Sequence, residues 1–314
     1  MICGPDFLGI GAPRCGTTWL HDRMLAHPDI WVPPIKELHF FDRDPRYPSP
    51  ATFATANPWK RFIGFRPWRS DSGAFKLRGA VAALARGELS ETRWWLNVVF
   101  GHYDEAFYAS LFPRDGYGSR GEITPAYSIL DDEDIARIHA LNPEMKLIFM
   151  IRNPVDRIWS ALRYNLGRGR VALNIDDTEA VLAQVRSAER PDSRLQRGDY
   201  RGTLDAYARR FDSSQILVVF YDAIAADPDG LLNAVARFLD VAPWPAGETQ
   251  RRINASTVTA PMPEAIRRAL CKQNQALCKD MAATFGSYAH GWSGDSIGPA
   301  PAPAIRYDKA TVVS

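Results

Sequence analysis

The segment GAPRCGTT, Gly11 to Thr18, limits what this chain can fold into more than any other part of the sequence. Loops of the form G-x-x-x-x-G-K-[ST] join a buried strand to a helix and wrap backbone N–H groups around a phosphate. An apolar run, Phe7 to Ile10, precedes the segment, and apolar residues at helical spacing follow it from Thr17 to His27. The sequence therefore predicts a strand, an anion-binding loop and a helix. A glycine-bearing turn that only closes a tight corner would give the same pattern.

The loop lacks the lysine that nucleoside triphosphate enzymes place before the final Ser or Thr. Thr17 occupies that position, Thr18 follows it, and the basic residue inside the loop is Arg14. In enzymes that use Mg²⁺, the lysine contacts the β- and γ-phosphates while the hydroxyl binds the metal. We therefore expect the loop to bind a phosphate-like group that carries no triphosphate tail and needs no metal.

A second cation is predicted at the end of the clearest buried strand, KLIFMI, Lys146 to Ile151. Arg152 follows this strand, and Pro154 begins the next helix at a position where a missing N–H costs nothing. Ser160 lies near two helical turns from Pro154, so Arg152 and Ser160 together can hold a second phosphate. Alternatively, Arg152 caps a neighbouring helix or pairs with an acidic residue.

Strands and helices alternate along the chain, which is typical of an α/β fold with a mostly parallel sheet flanked by helices. Further elements are predicted as strands at Ile30–Val32, Gly121–Tyr127 with a turn, and QILVVFYD, and as helices at Asp131–Leu141 and after Pro228. The 314 residues, 46% of them hydrophobic, suit one sizeable domain without excluding two. We expect this domain at residues 1–294, followed by a Pro- and Ala-rich tail outside the packed core at residues 295–314.

Charge and cysteine content narrow the class of protein. The 38 basic and 36 acidic residues give a net charge of +2, which argues against a general nucleic-acid binder and makes any cationic site local. The four cysteines show no C-x-x-C spacing for zinc or redox chemistry and fit a reducing compartment. The sequence contains no run of about 20 apolar residues and no basic-then-apolar leader. We therefore expect a cytoplasmic protein without a transmembrane segment.

Four motifs occur in order: GAPRCGTTWL, HPDIWVPPIKELHFFD, GEITPAY and LIFMIRNPVDRIWSALRYN. In order and spacing they resemble the sulfotransferases that use 3′-phosphoadenosine-5′-phosphosulfate (PAPS), most closely the branch of the heparan-sulfate glucosaminyl sulfotransferases and bacterial relatives. The resemblance is strong over roughly the first half of the chain and looser from Asp199 to Leu239. It implies a P-loop fold and metal-free, in-line transfer of a sulfuryl group to an acceptor hydroxyl or amine.

For the donor, the resemblance implies that the first loop and the start of its helix hold the 5′-phosphosulfate through Arg14, Cys15, Gly16, Thr17, Thr18 and Trp19. Arg14 stands where the family usually has lysine, and it is expected to stabilise charge on the leaving nucleotide. Arg152 and Ser160 would hold the 3′-phosphate, in agreement with their spacing.

Three further donor contacts are candidates. Tyr221, at the end of a predicted strand, can pack near the adenine, although such an aromatic is usually a core residue. Arg251 and Arg252 stand about where the family has a basic loop over the 3′-phosphate, although adjacent arginines more often form a solvated face. The position often held by lysine in GEITPAY is Ile123, so one expected basic contact is missing.

For the acceptor, Glu37 matches the family's catalytic base, and His39 and Asp42 match the polar residues that follow it. A hydroxyl has a high pKa, so a carboxylate within reach must take its proton as the O–S bond forms. His39 is a candidate to orient the acceptor or share the proton. Alternatively, Glu37 only pairs with Lys36 or an arginine, and His39 is a core histidine.

The acceptor itself stays open: a carbohydrate, a lipid headgroup and a phenolic metabolite all suit the pattern. The aromatic and basic segment Trp59 to Arg69 suits an acceptor groove, a membrane surface or an acidic partner, or else packs inward. Two other functions remain open, a P-loop kinase of small molecules and a non-catalytic nucleotide-binding protein. The first would need ATP and Mg²⁺, and the second would have no use for Glu37.

Overall fold

The computed structural model describes residues 4–48, 73–113, 116–188, 198–245, 261–293 and 301–307. Within these residues, one sheet contains the strands β1 (Phe7–Gly11), β2 (Ile30–Trp31), β3 (Ser119–Ile123), β4 (Lys146–Ile151), β5 (Ile216–Phe220) and β6 (Ala304–Arg306). Their spatial order is β2–β3–β1–β4–β5–β6. The first five strands are parallel, and β6 runs antiparallel to β5. The predicted α/β class with a mostly parallel sheet is confirmed.

Helices surround the sheet. They are α1 (Thr17–Leu25), α2 (Gly73–Ala85), α3 (Leu89–Phe100), α4 (Glu105–Ser110), α5 (Asp132–Leu141), α6 (Pro154–Gly167), α7 (Thr178–Ala188), α8 (Tyr200–Tyr207), α9 (Ala223–Ala226), α10 (Pro228–Leu239), α11 (Glu264–Phe285) and α12 (His290–Ser293). Short 3₁₀ helices occupy Pro125–Ile129, Ser213–Gln215 and Ser287–Ala289. None of the described helices is long and apolar enough to cross a membrane.

Local sequence explains where the main elements begin. Strands β1 and β5 are buried along their whole length and β4 along all but its first residue, as expected for the centre of a parallel sheet covered on both faces. The side chains of Asp131, Asn153 and Asp227 accept N–H groups in the first turns of α5, α6 and α10. Pro154 and Pro228 open α6 and α10. The predicted strands and helices are therefore confirmed at these positions.

The strand order creates a crevice at the carboxyl edge of the sheet. From β1 the chain passes to β2 and β3 on one side, and it then continues through β4 and β5 on the other side. The connections that leave the carboxyl ends of β1 and β4 therefore diverge, and open α/β sheets bind their ligands at such a point. The two predicted phosphate-binding segments follow β1 and β4.

The predicted tail is wrong for the residues that form the end of the sheet. Ile305 pairs with Val218 in β5, and Tyr307 is buried, with its hydroxyl donating to the Asp205 carboxylate at 2.8 Å. The open edge of β5 presents unpaired backbone groups, and β6 satisfies them. Residues 294–300 and 308–314 lie outside the described residues.

Replacing Gly121 by Ala should destabilise the sheet. A Cβ at Gly121 would overlap the carbonyl oxygen of Phe7 and lie 2.6 Å from its ring, so strands β1 and β3 would have to separate. We expect Gly121→Ala to lower the free energy of unfolding by about 1–3 kcal/mol in urea titrations.

The matched control is Gly118→Ala, just before β3. Its Cβ would meet a methyl group of Val241 at 3.3 Å, and residue 118 is exposed, so a change within about 0.5 kcal/mol is expected. Equal, small losses in the two variants would contradict the close approach of β1 and β3.

Candidate active site

The loop between β1 and α1 exposes the amino end of a helix. Gly16 has φ of 88° at the N-cap of α1, and no side chain caps the helix there. A Cβ at Gly16 would overlap Ile224 and lie 3.0 Å from the Tyr221 ring, so the loop is pressed against the chain after β5. Uncapped N–H groups at a helix start are ready donors for an anion.

Arg14 and Arg152 meet beside this helix start. The Arg14 Nε–H donates to the hydroxyl of Ser160 at 3.2 Å, and an Arg152 Nη–H donates to the Arg14 carbonyl oxygen at 3.4 Å. Ser160 is buried on α6, and a hydroxyl that accepts one hydrogen bond can still donate its own proton. The structure thus brings together the three side chains that the sequence assigned to two phosphates.

The surroundings of Arg14 are strongly positive. Its guanidinium carbon lies 4.4 Å from the centre of the Tyr164 ring, and the guanidinium carbons of Arg168 and Arg170 lie 4.4 and 5.7 Å from the same ring. Burial, together with the repulsion of neighbouring arginines that include Arg152, lowers the pKa of Arg14. A bound anion would relieve this repulsion.

The sequence did not single out Tyr164 or Arg168. A signal existed, because they follow Ser160 at intervals of four residues on α6 and its end, which places them on one helix face.

Tyr221, the residue predicted to pack near the adenine, lies beside Arg152 and the Gly16 turn. The Arg152 guanidinium carbon is 4.0 Å from the centre of its ring, and the Tyr221 N–H donates to the Ile151 carbonyl oxygen at 2.8 Å. The half-buried Tyr221 ring therefore packs against the Arg152 guanidinium and also lies close to the Gly16 turn. Stacking of this kind orients a guanidinium without removing its charge.

The predicted donor contacts of the Cys15 and Trp19 side chains do not agree with the burial of these residues. Cys15 is fully buried, with its Sγ 3.7 Å from the Tyr200 hydroxyl, and burial raises the pKa of the thiol to about 11. Trp19 packs in the hydrophobic core, and the Thr17 side chain is buried as well. Helical periodicity turns Thr17 and Trp19 inward, so only Thr18 keeps a half-exposed side chain in the first turn of α1.

A second group of charged side chains lies on the Lys36–Asp42 segment, which follows β2. Lys36 Nζ lies 2.6 Å from Glu37 Oε1, and His39 Nε2 lies 3.4 Å from Glu37 Oε2. The other nitrogen of His39, Nδ1, lies 2.7 Å from Asp42 Oδ2. Glu37 and His39 both have left-handed backbones, with φ of 68° and 52°, which costs of order 1–3 kcal/mol for each residue.

The charges of this segment are set by their mutual contacts. Burial opposes ionisation of Glu37, but the positive charge of Lys36 and hydrogen bonds from His39 and Lys36 outweigh it and hold the pKa of Glu37 below its usual range. Burial likewise opposes the imidazolium, but hydrogen bonds to Asp42 and Glu37 raise the pKa of His39 to about 9. At neutral pH, a carboxylate therefore faces an imidazolium.

The exposed fraction of each side chain indicates whether that side chain can contact an acceptor. The side chain of Glu37 is 41% exposed and that of His39 is 11% exposed, whereas that of Asp42 is completely buried. The predicted contact of Asp42 with an acceptor is therefore wrong, because Asp42 reaches the site only through His39. The expected pairing of Lys36 with Glu37 is observed, but it uses Glu37 Oε1, and Oε2 lies near His39.

Other predicted site residues cannot be placed. Arg251, Arg252 and the Trp59–Arg69 segment lie outside the described residues. Ile123 is buried in the core, which agrees with the missing basic contact at this position.

Comparison with known proteins identifies the family. Residues 5–246 match the model of the "Sulfotransferase family". Human carbohydrate sulfotransferase 15 is 25% identical over 265 residues, which cover 77% of this chain and 44% of that protein. Mouse heparan sulfate glucosamine 3-O-sulfotransferase 3B1 is 33% identical over 142 residues, which cover 44% of this chain and 35% of that protein. The chain thus spans less than half the length of these relatives.

A solved structure supports the fold. A sulfotransferase from Alicyclobacillus acidocaldarius aligns with 93% of this chain and 97% of its own, with a TM-score of 0.55 and 20% sequence identity. Since the family match extends over well more than half of the chain, the protein belongs to the sulfotransferase family.

Proposed function

We propose that the protein transfers a sulfuryl group from PAPS to a hydroxyl, or an amine, of a carbohydrate acceptor. One observation carries the proposal: a pair of arginines and a carboxylate that faces an imidazolium lie at the same edge of the sheet. The arginines stand beside an uncapped helix start after β1 and β4. The carboxylate, Glu37, lies on a segment that is hydrogen-bonded to the end of β3. The first arrangement suits a donor with two anionic ends. The second suits an acceptor that must lose a proton.

The described residues fit this donor. The N–H groups at the start of α1 and the Arg14 guanidinium suit the 5′-phosphosulfate, while Arg152 and the Ser160 hydroxyl suit the 3′-phosphate. The side chain at position 17, where ATP-dependent enzymes have lysine, is a buried threonine. The site therefore favours an adenosine bisphosphate over a triphosphate with Mg²⁺.

The donor would supply an activated sulfuryl group. Arg14 and the helix N–H groups stabilise negative charge as it develops on the leaving nucleotide, which lowers the barrier more than it strengthens binding. Glu37 accepts the proton of the acceptor, and His39 holds the Glu37 carboxylate in place. A carboxylate with a lowered pKa is a weak base, so its help comes once bond formation has acidified the hydroxyl.

The choice of a carbohydrate acceptor rests on the relatives. Two of them are named as a carbohydrate sulfotransferase and a heparan sulfate glucosamine 3-O-sulfotransferase. Sulfation of a lipid headgroup or a phenolic metabolite would use the same donor residues and the same base.

Removing the charge of Arg152 should weaken donor binding. In calorimetric titrations with adenosine 3′,5′-bisphosphate, Arg152→Gln should raise Kd by about 10–100-fold, the effect of one lost hydrogen bond to a charged group. Arg237→Gln, an exposed change in the last turn of α10, should leave Kd unchanged. Tighter binding of ATP with Mg²⁺ by the wild type, or an unchanged Kd in Arg152→Gln, would contradict the assignment.

Removing the carboxylate of Glu37 should slow transfer while sparing donor binding. The protein is incubated with PAPS as donor and with a panel of oligosaccharides, phenols and lipid headgroups as acceptors, and the sulfated product is measured by mass spectrometry. Glu37→Gln should lower the transfer rate by about 10²–10⁴-fold, the usual contribution of a general base, without weakening the binding of adenosine 3′,5′-bisphosphate.

The control for this change is Glu144→Gln, an exposed carboxylate before β4 at the opposite edge of the sheet. It should transfer as fast as the wild type. Equal rates in Glu37→Gln and the wild type would remove Glu37 from its role as base.

A further inference from the structure

A buried carboxylate lies beneath the Lys36–Asp42 segment. Glu122, near the end of β3, is 1% exposed and accepts four hydrogen bonds. Its Oε1 accepts from the hydroxyls of Tyr108 and Tyr127 at 2.8 and 2.7 Å, and its Oε2 accepts from the Thr124 hydroxyl at 2.6 Å and the Leu38 N–H at 3.2 Å. None of these four donors is a cation. Burying a carboxylate is costly unless hydrogen bonds satisfy its oxygens, and here four donors from three parts of the chain do so.

Two of these hydrogen bonds lead to the backbone around His39. The Leu38 N–H, which lies between Glu37 and His39, bonds directly to Glu122. The Phe40 N–H, on the other side of His39, donates to the Tyr127 hydroxyl at 3.0 Å, and that hydroxyl donates to Glu122. The backbone on both sides of His39 is therefore held by one carboxylate.

The conformation held in this way is one that the segment would not adopt alone. Left-handed backbones at two non-glycine residues, Glu37 and His39, persist only where the surroundings fix them. Those backbones bring His39 Nε2 to 3.4 Å from Glu37 Oε2 while His39 Nδ1 reaches Asp42. Release of the Leu38 and Phe40 N–H groups would let the segment relax and separate these side chains.

We propose that Glu122 is a positioning residue, which acts through the Leu38 N–H and through Tyr127 to hold Glu37 and His39 in their reactive arrangement. This inference rests on the proposed role of Glu37 as the base. Glu122 touches neither donor nor acceptor, so its effect is on the rate of transfer and not on donor affinity.

Two tyrosines provide a matched test. Tyr108 and Tyr127 are both fully buried, and their hydroxyls donate to the same oxygen of Glu122. Their rings pack on the Lys36–Asp42 segment. The ring centres of Tyr108 and Phe40 are 4.4 Å apart, and those of Tyr127 and Phe41 are 5.5 Å apart. A phenylalanine in place of either tyrosine keeps its ring contact. Only the Tyr127 hydroxyl also accepts a backbone N–H of the segment.

We expect Tyr127→Phe and Glu122→Gln to lower kcat by about 10–100-fold, since a displacement near 1 Å can cost 10²-fold. Tyr108→Phe should keep kcat within about twofold, a small change compared with that range. All three variants should bind adenosine 3′,5′-bisphosphate like the wild type. Urea midpoints that fall equally in Tyr108→Phe and Tyr127→Phe would show that their difference in kcat does not come from stability.

A titration of His39 tests the inference without any activity. In heteronuclear NMR spectra, His39 is assigned among the six histidines by its loss in His39→Gln. The wild type and Tyr108→Phe should titrate with a pKa of about 9. In Tyr127→Phe the pKa should fall towards the ordinary value of about 6.5, because the imidazolium loses its contacts with the anionic Glu37 and Asp42. Tyr127→Phe changes no charge, so a lower pKa of His39 in this variant would reflect a change in the position of the His39 side chain.

The two proposals fail in different ways. If the wild type sulfates none of the acceptors, the proposed function fails, while the His39 titration still decides the role of the Glu122 network. If His39 titrates alike in Tyr108→Phe and Tyr127→Phe, the positioning role is overturned, whatever the activity. If Glu122→Gln does not fold, the two tyrosine variants carry the test.

Discussion

The site depends on two like charges that repel one another, the guanidinium groups of Arg14 and Arg152. Arg152 donates to the carbonyl oxygen of Arg14, and the two side chains are held by Ser160 and by the rings of Tyr164 and Tyr221. Such a pair is unfavourable by itself, and an anion between or beside its members makes it favourable. The strand order makes the pair possible, because the chain leaves β1 and β4 in opposite directions at the carboxyl edge.

The same sheet connects these arginines to the segment that carries Glu37, the proposed base. Strand β1 lies between β4, which ends at Arg152, and β3, which carries Glu122. Glu122 in turn holds the backbone between Glu37 and His39. Arg152, one of the proposed donor-binding arginines, and the proposed base are therefore both attached to strands that pair with β1. Catalysis by positioning requires such a fixed arrangement.

Features set by local sequence were predicted, whereas features set by distant contacts were not. The helix that begins at Pro154 and the separation of Arg152 and Ser160 follow from helix geometry, so the sequence was sufficient for them. Strand β6 pairs with β5 across roughly 90 residues of chain, and composition alone suggested a tail there. The resemblance gave Cys15, Trp19 and Asp42 as contacts because they are neighbours in sequence, but their side chains are buried. The Glu122 network joins three separate parts of the chain. Glu122, Thr124 and Tyr127 belong to the GEITPAY motif, but no local pattern indicates their contacts with Leu38 and Tyr108.

In the proposed function, Arg14 and Arg152 bind opposite ends of one adenosine compound. The most direct measurement is a crystal structure of the protein with adenosine 3′,5′-bisphosphate. We expect the 5′-phosphate at the start of α1 against Arg14, and the 3′-phosphate against Arg152 and Ser160. A nucleotide bound elsewhere, or bound with both phosphates away from these two guanidinium groups, would contradict it.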